Sequence, residues 1–209
     1  GGTPSRGSYV NQSAKLLGED VGNAAILGGG IATGAGAEAN VDIVTIELKG
    51  TSVVEGNVFA GGAATLGGTS TVTEATVTLD GATVTGNVYG GGLAGSPEND
   101  AFADGYKDAA STVATAVLKL KSGVLNGNVY TGGQTYGADA SSSVKTARVE
   151  IDQAFDFQGQ SIDGTEGEST LIFTTGYEFA EPTEGEQTVT IKGFNQVLSA
   201  EAVTGAAYE

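Results

Sequence analysis

Apolar and polar residues alternate with a period of two in five stretches of the chain. They read "IVTIELKG" (43–50), "EATVTLDG" (74–81), "TAVLKLKS" (115–122), "TARVEIDQ" (146–153) and "QTVTIKG" (187–193). A period of two sends successive side chains to opposite faces, so each stretch predicts a half-buried β-strand. Aligned, they give two inward columns, Ile46–Val77–Leu118–Val149–Val189 and Leu48–Leu79–Leu120–Ile151–Ile191. A third column follows across a turn: Val54, Val84, Leu125, Phe157 and Val203.

A second motif falls between these stretches. "ILGGG" (26–30), "VFAGG" (58–62), "VYGGG" (88–92) and "VYTGG" (129–133) superpose, and Gly-Asn precedes the last three. A degenerate copy, "DFQGQSIDG" (156–164), puts Gln160 in the Asn place, and "VTGAAYE" (203–209) is a partial closing copy. Strand-forming repeats of about 30 residues with glycine corners predict an all-β fold: a single-stranded parallel β-helix of about five coils. Stacking then makes columns of like residues. Asn57, Asn87, Asn128 and Gln160 would form an internal amide ladder, Phe59, Tyr89 and Tyr130 would stack, and corner glycines would supply positive φ. The outward residues Lys49, Asp80, Lys121, Asp152 and Lys192 alternate in sign. In-register neighbours would pair them, each pair worth about 0.2–1 kcal/mol.

The stretches that do not repeat define the expected organisation. Residues 1–20 read as a flexible leader with a candidate N-terminal cap, the stretch "NQSAKLLGEDVGN" (11–23) as a short capping helix over the strand edges. Residues 21–209 read as the β-helix domain, with lateral insertions at 93–112 and 165–186, the second containing its own strand "TLIFT".

Composition narrows the chemistry. Thirty-five glycines with only three prolines mean many turns rather than a collagen-like fibre. A net charge of −16 with nine Lys and Arg excludes a phosphate-binding surface, so no nucleic-acid partner is expected. The same charge is repelled by anionic membranes, and no apolar run is long enough to span one. With neither Cys nor His, disulfides and Ser–His or Cys–His catalysis are excluded.

Four candidate sites remain. The glycine run 28–36 lacks the strand–turn–helix context of a dinucleotide loop and reads as a corner. Glu98, Asp100, Asp104 and Asp108 make an incomplete calcium set: read as an EF-hand from Asp100, position three is Phe102 and position twelve Ser111. No other cofactor is implied. Glu150 and Asp152 share an outward strand face and are the carboxylate pair a polysaccharide-acting enzyme would use. Phe102, Tyr106 and Tyr136 are aromatics that could meet a partner or a glycan. A Thr-x-Thr ice-binding face fails the column test, because the outward positions beside Thr76 and Thr78 include Val117, Lys119, Arg148 and Glu150.

The text "ATVTLDGATVTGNVYGG" and its "GNVYGGG" relatives resemble the right-handed β-helical passenger regions of bacterial autotransporters and related secreted adhesins, over most of residues 26–209. That resemblance implies an extracellular, bacterial cell-surface protein that adheres to a protein or glycan on a host or neighbouring cell, and it supplies no catalytic residues. It also implies a fragment of a longer chain. The expected function is therefore a non-enzymatic surface module presenting lateral loops. A carboxylate-based β-helical polysaccharide enzyme and a calcium-dependent glycan-binding module are the alternatives.

Overall fold

A computed structural model describes residues 15–16, 19–20, 24–95, 108–137, 139–180 and 188–209. Among these residues there are strands and turns and no helix. The chain opens with β1 (Lys15–Leu16) and β2 (Glu19–Asp20), which pair antiparallel. This corrects the capping helix expected over 11–23. The antiparallel pairing of Lys15 with Asp20 and of Leu16 with Glu19 is incompatible with a helix through these residues.

Every other pairing is parallel, and the strands recur in rounds. The first round is β3 (Ala24–Leu27), β4 (Ile31–Thr33), β5 (Glu38–Lys49) and β6 (Val53–Val54). The second is β7 (Asn57–Phe59), β8 (Ala63–Thr65) and β9 (Thr69–Val84). The third is β10 (Val88–Tyr89), β11 (Leu93–Gly95) and β12 (Ala110–Leu125). Next come β13 (Val129–Tyr130), β14 (Gln134–Tyr136), β15 (Ser141–Ile151) and β16 (Phe155–Phe157). Then follow β17 (Ser161–Asp163), β18 (Glu168–Phe173) and β19 (Tyr177–Glu178). The last are β20 (Val189–Lys192), β21 (Gln196–Ser199), β22 (Val203–Thr204) and β23 (Ala206–Tyr208).

Three large parallel sheets result, beside a two-stranded parallel one of β19 and β22. One runs β23-β20-β17-β13-β10-β7-β3, a second β14-β11-β8-β4, and a third β21-β18-β15-β12-β9-β5 with β6 on β9 and β16 on β12. The architecture is all-β with parallel sheets, consistent with a β-solenoid. In-register pairing sets Ile46, Val77, Leu118, Val149, Leu171 and Val197 in one column, and Leu48, Leu79, Leu120, Ile151 and Phe173 in another. The middle of each column is sealed: Val77, Leu79, Val149, Ile151 and Leu171 expose none of their surface. At about 25 cal/mol per Å² of apolar surface, burial of these columns stabilises the stack.

Here the fifth aligned stretch is corrected. Val189 and Ile191 are not in these columns; β20 belongs to the seven-stranded sheet, where Ile191 follows Ile162. The rung found there is "TLIFT": β18 is a rung of the main sheet, so Glu168–Phe173 is not part of a lateral insertion. The four-stranded sheet stops at β14, the chain cuts straight from β17 to β18, and the next rung arrives early. The 93–112 insertion also shrinks, since β11 and the start of β12 are paired rungs. Val203 pairs with Tyr177 rather than following Phe157 directly.

The alternating charges start in register, with Lys49 beside Asp80, but do not continue as a ladder. Lys121 falls in a register shift between Leu120 and Ser122, and Ser122 Oγ donates to Asp80 Oδ1 (3.0 Å). Lys49 pairs with Glu47 on its own strand (2.8 Å), and Lys192 with Asp163 in the other sheet (3.2 Å). The triple-glycine corners also differ from expectation. Gly62 and Gly92 have ordinary φ; what demands glycine is close approach, since a Cβ on Gly92 would lie 2.2 Å from the Gly62 carbonyl oxygen.

Candidate functional site

The repeated polar positions are used between rungs. Asn57 Oδ1 accepts the Asn87 backbone N–H (2.8 Å), and Asn87 Oδ1 accepts that of Asn128 (2.8 Å). Asn128 Oδ1 accepts two, from Gln160 (2.8 Å) and Ser161 (2.9 Å). Gln160 enters through its backbone only. The amide nitrogens of Asn87 and Asn128 donate to the hydroxyls of Tyr89 (3.1 Å) and Tyr130 (3.2 Å). The rings of Phe59, Tyr89 and Tyr130 stack at 4.5 and 5.0 Å, within 6° and 13° of parallel. Burial pushes the Tyr89 phenol above its ordinary range, against the donating Asn87 amide. Tyr136 sits at the end of the four-stranded sheet, half-buried against this stack. Its phenol is also raised, chiefly by burial.

A serine column was missed. Ser70, Ser111 and Ser142 donate to the carbonyls of Gly30, Gly62 and Gly92, each at 3.0 Å. The signal was present, because "TSTV" (69–72), "ASTV" (110–113) and "SSSV" (141–144) keep Ser two residues before Val.

The carboxylate candidates are engaged separately. Glu150 Oε1 pairs with Arg148 Nε at 2.7 Å. Asp152 accepts the Ala154 N–H (3.1 Å) and the Thr174 hydroxyl (3.0 Å), which ties β15 to the end of β18. Each therefore has a local structural partner. Among the described residues no group of three metal-ligating side chains comes together. Glu98, Asp100, Phe102, Asp104 and Tyr106 lie outside the described residues, and Asp108 is exposed just before β12.

A further concavity lies where sequence offered no cue. A space of about 420 Å³ opens between the 153–157 and 177–180 segments, beside Phe155, Phe157, Tyr177 and Phe179. These aromatics are buried, with Phe157 and Phe179 edge-to-face at 6.0 Å and Tyr177 and Phe179 at 4.6 Å. The Tyr177 hydroxyl donates to the Phe155 carbonyl at 2.5 Å. Burial pushes the Tyr177 phenol up to about 12, against the pull of the Phe157 backbone N–H. Asp156 and Glu178 alternate with these aromatics and are exposed.

Comparison with protein-family models, with curated proteins and with solved structures finds no match to this chain.

Proposed function

We propose that this chain is a single-stranded parallel β-helix serving as a non-enzymatic, extracellular bacterial surface module. It holds its non-repeating segments at fixed positions for a protein or glycan partner on a host or neighbouring cell. The observation that carries this reading is how the repeated polar groups are spent. Asparagines, serines and stacked tyrosines bond rung to rung, and Glu150 and Asp152 are tied to Arg148 and Thr174. A scaffold of this kind resists bending and leaves recognition to whatever breaks the repeat. The acidic surface favours solubility and suits partners that are not strongly anionic.

The test uses the purified protein immobilised on beads and challenged with soluble acidic and neutral polysaccharides and with intact cells. Retention of a glycan or of cells without chain cleavage is the expected result. Release of reducing ends or unsaturated products, abolished in Glu150→Gln or Asp152→Asn, would overturn it in favour of a polysaccharide-acting enzyme.

A further inference from the structure

β16 and β19 occupy successive rounds of the chain, yet no ladder joins them: β16 pairs with β12, and β19 with β22. Backbone alternation fixes which groups face the interruption. Gln158 donates its N–H to Leu125 C=O (2.8 Å), so residues 156 and 158 bond toward β12. The C=O of Phe155 and both peptide groups of Phe157 therefore turn away from β12. On the other lip, Tyr177 and Phe179 donate to the carbonyls of Ala202 (3.1 Å) and Thr204 (3.0 Å). The Glu178 N–H and C=O thus turn back toward β16. In an unbroken parallel ladder, Glu178 would donate to Phe155 C=O and accept from Phe157 N–H. Instead the Tyr177 hydroxyl donates to Phe155 C=O. The Phe157 N–H lies against the same phenol oxygen, so one phenol stands in for the β16 side of a missing rung, and the Glu178 N–H and C=O have no ladder partner among the described residues.

We propose that this interruption is a docking slot for an extended peptide strand of a partner protein, bound by strand addition, with small aliphatic side chains facing inward and a basic side chain facing outward. The backbone groups left by β16 and β19 are those a parallel strand uses. Inward positions of the incoming strand would meet Phe157, Tyr177 and Phe179, all buried and aromatic. Its outward position would fall between Asp156 and Glu178, the exposed residues at the same strand position on the two lips. Two carboxylates flanking one position, on a chain of net charge −16, select a lysine or arginine there. Tyr177 acts as the gate, because its hydroxyl holds the carbonyl that the incoming strand needs. This slot stands apart from the surface-module reading, since it requires only a strand-presenting partner and no particular compartment.

The test uses the whole chain and a labelled, end-capped Val-Lys-Val-Lys-Val peptide. Binding is followed by fluorescence anisotropy, and its place by amide hydrogen exchange. The expected result is saturable binding that protects the Phe157 and Glu178 amides. Tyr177→Phe, which keeps the ring and removes the competing bond, should tighten it by about two- to tenfold. Asp156→Asn with Glu178→Gln should weaken it by about two- to fivefold. A Val-Glu-Val-Glu-Val peptide should bind more weakly than either. No binding to the wild type or to a folded Tyr177→Phe variant would overturn the proposal. So would protection confined to the outer edges of β5 or β21.

Discussion

Replacing the ladder asparagines one at a time should produce a graded loss of stability, in an order set by the bonds each makes. Asn57→Ala removes one acceptor, that of the Asn87 N–H. Asn87→Ala removes the acceptor for Asn128 N–H and the donor to Tyr89 Oη, while its own backbone bond to Asn57 survives. Asn128→Ala removes the acceptor for two N–H groups and the donor to Tyr130 Oη. A partly buried N–H left without a partner costs about 1–3 kcal/mol, and a lost neutral hydrogen bond about 0.5–1.5 kcal/mol. All three positions are half-buried, so water recovers part of each loss. The expected costs are about 1–2 kcal/mol for Asn57, about 2–3 for Asn87 and about 3–4 for Asn128. For a chain of this length each kcal/mol lowers the melting temperature by about 2–4 °C. Urea unfolding followed by far-UV circular dichroism, read as midpoint shifts at constant slope, gives the order directly. Amide exchange at Asn128 adds a local reading, since only Asn87→Ala should expose it. Equal costs at the three positions, or Asn57 as the most costly, would refute the ladder as a source of stability.

Other outcomes follow from the same geometry. Leu118→Ala, in the sealed middle of its column, should cost about 2–5 kcal/mol by urea unfolding, and Ile46→Ala, half-buried in the same column, clearly less. Gly92→Ala should prevent native stacking, seen as loss of the cooperative transition, because its Cβ would meet the Gly62 carbonyl oxygen and Ser111 Oγ, each at 2.2 Å. Although burial works to raise it, the Asp163 carboxyl is held below its ordinary range by the Thr165 hydroxyl and N–H and by Lys192. Its stabilisation is therefore present above the unfolded carboxylate value of about 3.9 and lost as pH falls. Asp163→Asn should flatten that acid-side loss in a pH series of unfolding midpoints. At the alkaline end, the Tyr177 phenol titrates near 12 when folded, against about 10 unfolded, so stability falls as pH rises between these values. Tyr177→Phe should reduce that slope.

The sequence made the rung-to-rung relations readable wherever parallel stacking forces like residues into one column. Asn57, Asn87 and Asn128, the stacked Phe59, Tyr89 and Tyr130, and the aliphatic pairs from Ile46 to Ile151 share fixed offsets because each must meet its own kind. Legibility failed where spacing changed. Both "TLIFT" and "TVTIK" alternate with a period of two, and nothing local says which one follows Val149. That depends on whether the chain makes the four-stranded side of the round, and after β14 it does not. The charge alternation misled for a related reason: a bulge at Lys121 moves one residue out of register and hands Asp80 to Ser122. The slot at β16 and β19 left no mark in any column, because it is made by a pairing that fails to occur.

The early end of the four-stranded sheet also gives the stack a direction. At one end the described rungs β3, β4 and β5 offer three sides, with Ile31 and Ile43 about two-thirds exposed. At the other, β23 and β21 supply two sides, and among the described residues no strand stands above β14. If one copy were set upon another, β23 could meet β3 and β21 could meet β5, but β4 would find no mate. Its peptide groups would be enclosed without partners, at a cost of about 1–3 kcal/mol for each group buried. A taper of this kind opposes end-to-end addition of copies, the hazard that repeated parallel strands carry.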